Sequence, residues 1–383
     1  KGYVLSLMTD AYGDIPYNEA GKGDVSGLEF PHYQEQKEVY RLMLADLETA
    51  NQLLKSLKAD ATISDDILFN GDAVKWRKYA NSLKVRILMR QSAKKDVSAD
   101  IAAIFNNAQE YPVFTSIDDQ ATLVYNNTVD FYKWYIQPKN LPSDGSGVIF
   151  GDNFRVSEAI VDALQTKDDP RLPVYVAPTK HSFEAHRANA SVPFVYRGQP
   201  AGLSAAEQNE IDKDDYSVLS SMIRSESRAF VMTFAELQFL KAEAIIRGMI
   251  TGNAADEYAK GIRASMQKWA AISSDDVDVY LARPDVALNT AQNEALKQIG
   301  TQAWIDSFLN GFEAFANWRR TGYPELKVGT SVSSAIPVRY IYSDNEQNNP
   351  NLISWTNEKI GRMVNETDMV WFQPQKWNTN VNR

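Results

Sequence analysis

The residues best suited to bind a ligand are concentrated in Tyr125-Asn126-Asn127-Thr128-Val129-Asp130-Phe131-Tyr132-Lys133-Trp134-Tyr135, where five aromatic rings alternate with amides and a carboxylate. A sugar presents apolar C–H faces and a rim of hydroxyls. Its site therefore needs flat apolar platforms beside planar hydrogen-bonding groups. Asn126, Asn127, Tyr132, Trp134 and Tyr135 form the expected platform, with Asn153 and Tyr196 further along the same region. The alternative is that these rings are core beneath a long loop.

Other chemistries find fewer residues. The chain has no cysteine, so it has no thiolate nucleophile or thiolate metal site, and its three histidines are His32, His181 and His186. No serine sits in a Gly-x-Ser-x-Gly turn and no His-Glu-x-x-His is present. His181 and His186 are five apart, which places them on different sides of a helix. Acidic clusters at Asp65-Asp66, Asp168-Asp169, Asp212 to Asp215 and Asp275, Asp276 and Asp278 could hold a hard cation, but none has EF-hand spacing. Paired carboxylates could also cleave glycosides, a question decided by their separation in space. No Gly-rich phosphate loop occurs, and no catalytic residue, metal or cofactor is expected.

Charge narrows the partners. The net charge of −9 argues against nucleic acid and anionic membranes, which need a positive footprint. Lys75, Arg77, Lys78, Lys84, Arg86, Arg90, Lys94 and Lys95 do make one segment strongly basic. It could be a phosphate-binding face. In so acidic a chain it is read as a solvated face paired with neighbouring acidic helices, such as the one carrying Asp46 and Glu48. No apolar run is long enough to span a bilayer. The chain begins Lys1-Gly2-Tyr3, so it is read as a processed or trimmed fragment whose leader and lipid-attachment site are out of view.

These residues must be positioned by helices. The 383 residues, 44% apolar, can bury a large core. Residues 1–34 are turn-rich, with Leu5, Leu7 and Met8 expected to finish a helix. Helices are expected over 36–56, with Val39, Leu42, Ala45 or Asp46, Ala50 and Leu53 or Leu54 on one face, and over 73–92, with Trp76, Ala80, Leu83 and Ile87 as its stripe. Approximately 36–109 and 229–325 form the scaffold. Residues 110–228 form a loop-rich ligand insertion with helical periodicity only near Val156–Leu164, and 326–383 a wrapping tail. The most sharply signalled element runs from Ala229 to Ala270. There Thr233 and Glu236 form a capping box, Gly248 stops the first helix, and Asn253 with Asp256 caps the second. Ala235, Ala242, Ala244 and Gly261 permit close backbone approach, and Tyr258, Ile262, Met266 and Trp269 make an apolar stripe. The size and small-residue pattern are those of a tetratricopeptide pair.

Several segments together resemble the SusD/RagB-like nutrient-binding lipoproteins of Bacteroidetes. They are Asp10-Ala11-Tyr12-Gly13-Asp14-Ile15-Pro16-Tyr17, Lys75 through Arg86, Met232 through Ala244, Trp318-Arg319-Arg320-Thr321-Gly322-Tyr323-Pro324, and Ile336 through Tyr340 with Asn348-Asn349-Pro350-Asn351. The resemblance spans nearly the whole chain, in order. It implies a single all-α, SusD-like domain with tetratricopeptide-type helix pairs, long loop-rich insertions and the N-terminal part of the family fold missing. It also implies a surface-exposed lipoprotein of the outer membrane that captures glycan, or in some members peptide, for a SusC-like TonB-dependent transporter. The lipid anchor would lie outside this fragment. Two other readings stay open: an α-helical glycoside-processing enzyme, and a tetratricopeptide adaptor with an exposed groove on residues 233–270.

Overall fold

The computed structural model describes residues 1–57, 61–125, 147–151, 154–269, 271–329 and 336–374. Among them are seventeen helices and one two-stranded sheet, an all-α architecture. In the N-terminal block, α1 (Gly2–Tyr12) ends at Gly13, whose φ of 83° makes the turn. A short α2 (Gly23–Ser26) leads to α3 (Gln36–Lys55), which packs on α4 (Ala73–Gln91), followed by α5 (Ser98–Asn106). Asp72 caps α4 by accepting from the Lys75 amide at 3.0 Å.

The buried face of α3 differs from the expected stripe. It is Gln36, Val39, Tyr40, Met43, Leu47 and Asn51, while Leu53 is 63% exposed. Polar side chains decide the rotation. Asn51 Oδ1 accepts from Arg77 Nε at 2.9 Å and from Asn81 Nδ2 at 3.0 Å, which turns the Asn51 side of α3 onto α4.

The basic segment is corrected more substantially. From Tyr79 to Gln91 every residue of α4 is buried, so the helix is a core element and not a solvated face. Arg86 pairs bidentately with Glu236, and Arg90 is held by Glu313 and Asp10. The expectation of acidic partners holds at Lys84, which pairs with Glu48, and at Lys78, which reaches Asp119 at 2.8 Å.

The insertion leaves and returns through a paired stem. Strand β1 (Ala121–Val124) runs antiparallel to β2 (Arg228–Met232), with Val124 opposite Arg228, and the Tyr125 amide donates to the Ser227 carbonyl. Between them lie α6 (Glu158–Gln165), α7 (Leu172–Tyr175), α8 (Lys180–Ala188), α9 (Ala205–Glu210) and α10 (Ser221–Arg224), more helix than the periodicity indicates. Short helices leave too few turns for a periodic signal. Ile160, Val161, Leu164, Val174, Tyr175 and Ile223 join the same apolar cluster as the following scaffold helices, so the insertion shares their core.

That scaffold begins with α11 (Phe234–Ile246) and α12 (Ala254–Gln267). Thr233 accepts from the Glu236 amide, Gly248 has a φ of 72°, and Asn253 accepts from the Ala255 amide. Half of the expected capping box is absent, because the Glu236 carboxylate is turned to Arg86. At Gly261 an added Cβ would come 2.6 Å from Phe239, so the glycine allows the close approach of the two helices. Tyr258, Ile262, Met266 and Trp269 are buried. α11 also packs on α4 and α14, which buries Ala235 to Leu240 and Ala242 to Ala244.

Then come α13 (Ser274–Leu281), α14 (Gln292–Asp306) and α15 (Gly311–Thr321), and in the tail α16 (Asp344–Gln347) and α17 (Pro350–Ile360). The tail crosses back to the start of the chain. Tyr340 N donates to Ala11 O, Trp355 Nε1 to Asp14 Oδ2 at 2.8 Å, and Phe372 N to Gln36 Oε1.

Candidate ligand cleft

Of the expected platform, Asn126, Asn127, Tyr132, Trp134, Tyr135 and Asn153 lie outside the described residues. Tyr196 is described. Its ring is half-buried against the α11–α12 core, its carbonyl accepts from Gln165 Nε2 at 3.2 Å, and burial pushes its phenol pKa up. It stands beside α6 as a packing residue.

A large concavity lies where α6 meets the scaffold, a cleft of about 1030 Å³. One wall is α6 with residues 201–202. The other walls come from the loop after α13, from α14, and from residues 324–329 and 336–337. Close packing sets the first wall. Gly198 runs so near the start of α6 that an added Cβ would lie 2.3 Å from Glu158 Cα. The Glu158 amide donates to Gln199 O, fixing the strand-like segment there.

The floor is Tyr258, Tyr280, Val286 and Ile305, all buried, and Trp304 stands half-buried in the wall. A buried polar knot holds this floor. Arg171 grips Asp169 at 2.9 and 2.6 Å, and donates to Ser265 of α12 and Gln302 of α14. Burial alone would raise the Asp169 pKa, but the Arg171 guanidinium overrides it and holds the carboxyl below its usual value. Gln298 accepts from Asn289 N and donates to Ala287 O, pinning the loop at the mouth. The cleft thus has a rigid apolar and aromatic floor and a polar rim, the composition expected of a pre-formed ligand site.

Its lining carboxylates are Glu158, Asp162, Asp285, Glu294 and Glu325, and none is buried. A glycosidase acid is made by burial that raises a carboxyl pKa, and these rim positions lack that burial. The sequence did not reveal the cleft, because its lining is scattered from Ser157 to Pro337 and each segment looks ordinary by itself.

Two smaller features flank the insertion and the tail. Phe183 of α8 lies 5.3 Å from Phe150 and stacks with Phe194, whose ring also meets His186 at 4.1 Å. Phe194 is 42% exposed, so this is an aromatic ledge on the insertion. His181 contacts Asp212 at 2.9 Å, and that bond raises its pKa. A second cavity of about 590 Å³ lies between residues 13–14, the start of α3 and the tail, with Trp355 and Trp371 on its walls.

The acidic clusters have structural duties. Asp66 accepts from three backbone amides and from Trp76, Asp169 pairs with Arg171, Asp214 with Lys180, and Asp278 with Arg263. No group of acidic residues and histidines arranged to hold a metal ion occurs among the described residues.

Helix pairs carrying a long insertion, with a rigid cleft where the two meet, define a helical ligand-binding protein. Residues 1–343 match the family model "SusD-like_2: Starch-binding associating with outer membrane", and the chain belongs to that family. It is similar in structure to a putative outer membrane protein, probably involved in nutrient binding, from Bacteroides vulgatus, with a TM-score of 0.80 and 26% identity over 97% of this chain and 83% of that one. A SusD homolog from Bacteroides fragilis gives a TM-score of 0.79 and 25% identity over 97% and 82% of the chains. A chitin-binding SusD homolog from Flavobacterium johnsoniae gives 0.76 and 25% over 97% and 80%. No curated protein matches the chain.

Proposed function

We propose that this chain binds an oligosaccharide without breaking it, at the surface of the outer membrane, and hands it to a SusC-like TonB-dependent transporter. The observation that carries the reading is the 1030 Å³ cleft with Trp304 in its wall, in a chain of the SusD-like family. Similarity to a chitin-binding homolog supports a glycan over a peptide. In this reading residues 1–383 act as one SusD-like unit of a lipoprotein. On the sequence pattern alone, the reading assigns ring stacking on the sugar to Tyr132, Trp134 and Tyr135 and hydrogen bonds to its hydroxyls to Asn126, Asn127 and Asn153.

Binding without chemistry accords with rim carboxylates that are not buried. Calorimetric titration against a panel of neutral and charged oligosaccharides tests it. Saturable binding with the sugar recovered intact supports the proposal. Peptide binding with no sugar binding, or turnover abolished by a single carboxylate change, refutes it.

A further inference from the structure

The floor of the cleft carries two buried polar side chains whose hydrogen bonds the protein leaves incomplete. Gln302 of α14 is 6% exposed, and its Oε1 accepts from Arg171 Nη2 at 2.6 Å. A guanidinium nitrogen can only donate, so the amide is fixed with its oxygen towards Arg171 and its nitrogen turned away. Gln302 Nε2 has no hydrogen-bond partner among the described residues, and it is not sealed off from the cleft that the side chain lines. Tyr258 of α12 is 3% exposed and lines the same floor. Its hydroxyl also has no partner among the described residues, and burial pushes its pKa up, so it keeps its proton at neutral pH. Tyr280 differs, because its hydroxyl is directed to Asp169. Buried polar groups are nearly always hydrogen-bonded, so two open ones on one cavity mark where a ligand completes the set.

The kind of ligand follows from what is left unpaired. The strong acceptors near the floor, Asp169 and Gln302 Oε1, are taken by Arg171. What remains is the Nε2 amide donor and the Tyr258 hydroxyl, beside the apolar Val286 and Ile305. A protonated amine brings only donors and finds donors facing it. A sugar hydroxyl brings a proton that the phenol oxygen alone could take. An amide carbonyl oxygen carries two lone pairs and no proton, and so answers both groups. We propose that Gln302 and Tyr258 together take the carbonyl of an acetamido group, with its methyl against Val286 and Ile305, and so select an oligosaccharide of N-acetylated amino sugars. The inference rests on the glycan-binding reading above and narrows it. Trp304 supplies a stacking face that any pyranose can use.

The test is titration of the full chain with three tetrasaccharides of one linkage that differ only at C2: N-acetylglucosamine, glucosamine and glucose. The expected result is binding of the acetylated form tighter by about tenfold or more than either counterpart, since each of these leaves a buried donor unpaired. Tyr258→Phe removes only the open hydroxyl, and Gln302→Glu keeps an oxygen for Arg171 while replacing the Nε2 donor with an acceptor. Tyr258→Phe is expected to narrow the preference with the unfolding midpoint unchanged, because the lost hydroxyl has no partner in the protein. The double variant is expected to abolish it. Trp304→Ala, by contrast, should weaken all three sugars alike. Equal or tighter binding of the amine or hydroxyl form, binding of other oligosaccharides without the acetylated one, or a preference unchanged in both folded variants overturns the inference and leaves the glycan-binding reading standing. If no oligosaccharide binds at all, the underlying reading falls and takes this inference with it.

Discussion

Glu236, placed in sequence to close a capping box on its own helix, instead reaches across the core to Arg86, with Nε–Oε1 at 2.5 Å and Nη2–Oε2 at 2.6 Å. Arg86 also lies 3.6 Å from Glu313, which is in turn held by Arg90. Three helices, α4, α11 and α15, are thereby locked through charges that are almost fully buried.

Removing one partner leaves the other charge stranded in low dielectric, which costs about 3–5 kcal/mol. Arg86→Met is therefore expected to lose that much in urea denaturation. Arg86→Met combined with Glu236→Leu is expected to recover part of it, because no lone Glu236 charge then stays buried. A loss under about 1 kcal/mol in the single variant would show the pair to be dispensable.

The misreading of α4 and the good reading of α11–α12 have the same origin. Caps and left-handed stops are local, so Thr233, Gly248 and Asn253 could be recognised from their neighbours. The partners of Arg86 and Arg90 lie 150 and 223 residues away in Glu236 and Glu313, beyond any window in which periodicity can be read. A buried ion-pair helix and a solvated basic face have the same composition. The cleft was hidden for a similar reason. Trp304, Tyr280 and Glu158 are brought together only by tertiary packing, while the aromatic-rich Tyr125–Tyr135 drew attention because its residues are contiguous.

Thr233 carries two bonds. It accepts from the Glu236 amide at 3.0 Å as the cap, and its hydroxyl donates to Asp306 at 2.6 Å, the carboxylate that neutralises buried Lys268. Thr233→Ala should therefore cost about 2 kcal/mol, the upper end of the range for a cap. Thr233→Ser should restore most of it. Denaturation midpoints check both variants, and titration should show oligosaccharide affinity unchanged, since Thr233 is buried away from the cleft lining.

Trp304 is the half-buried aromatic side chain in the cleft wall. Truncating an aromatic anchor typically costs about 2 kcal/mol or more of binding, close to thirtyfold in Kd. Trp304→Ala is expected to lose roughly that affinity while keeping a cooperative unfolding transition. Unchanged affinity in a folded variant would place the sugar elsewhere on the surface.

Glu243 predicts how stability depends on pH. Burial alone would raise its pKa, but Arg320 and Arg247 override that and hold it at about 2, against 4.5 for the free side chain. Its folded pKa is thus depressed, so its contribution is complete above about pH 4.5 and is lost as pH falls towards 2. The urea midpoint should drop across that window. Glu243→Gln should be less stable than the parent at pH 7 and show a shallower decline in acid. Equal slopes for the two proteins would assign the acid sensitivity to other groups.

Gly261 sets the spacing of the α11–α12 pair on which the cleft floor rests. A methyl group there would lie 2.6 Å from Phe239 Cε1, 2.7 Å from Cδ1 and 2.9 Å from Cζ. The ring cannot easily retreat, because it is 1% exposed and packs edge-on against Tyr258 at 6.2 Å. Two effects oppose each other in Gly261→Ala. Alanine gains about 0.8–1 kcal/mol of helix propensity over glycine, whereas overpacking a well-filled core costs about 1–3 kcal/mol. Contacts this short, against a ring already fixed on its far side, put the steric term ahead. Gly261→Ala is expected to be less stable by about 1 kcal/mol or more, and Phe239→Leu in the same chain should relieve much of the clash. Tyr258 lines the cleft and packs against Phe239, so displacement of Phe239 should also weaken sugar binding in the single variant. A gain in stability of the size expected from propensity alone would mean that the ring moves aside at little cost, and that glycine at this position is not what brings the two helices together.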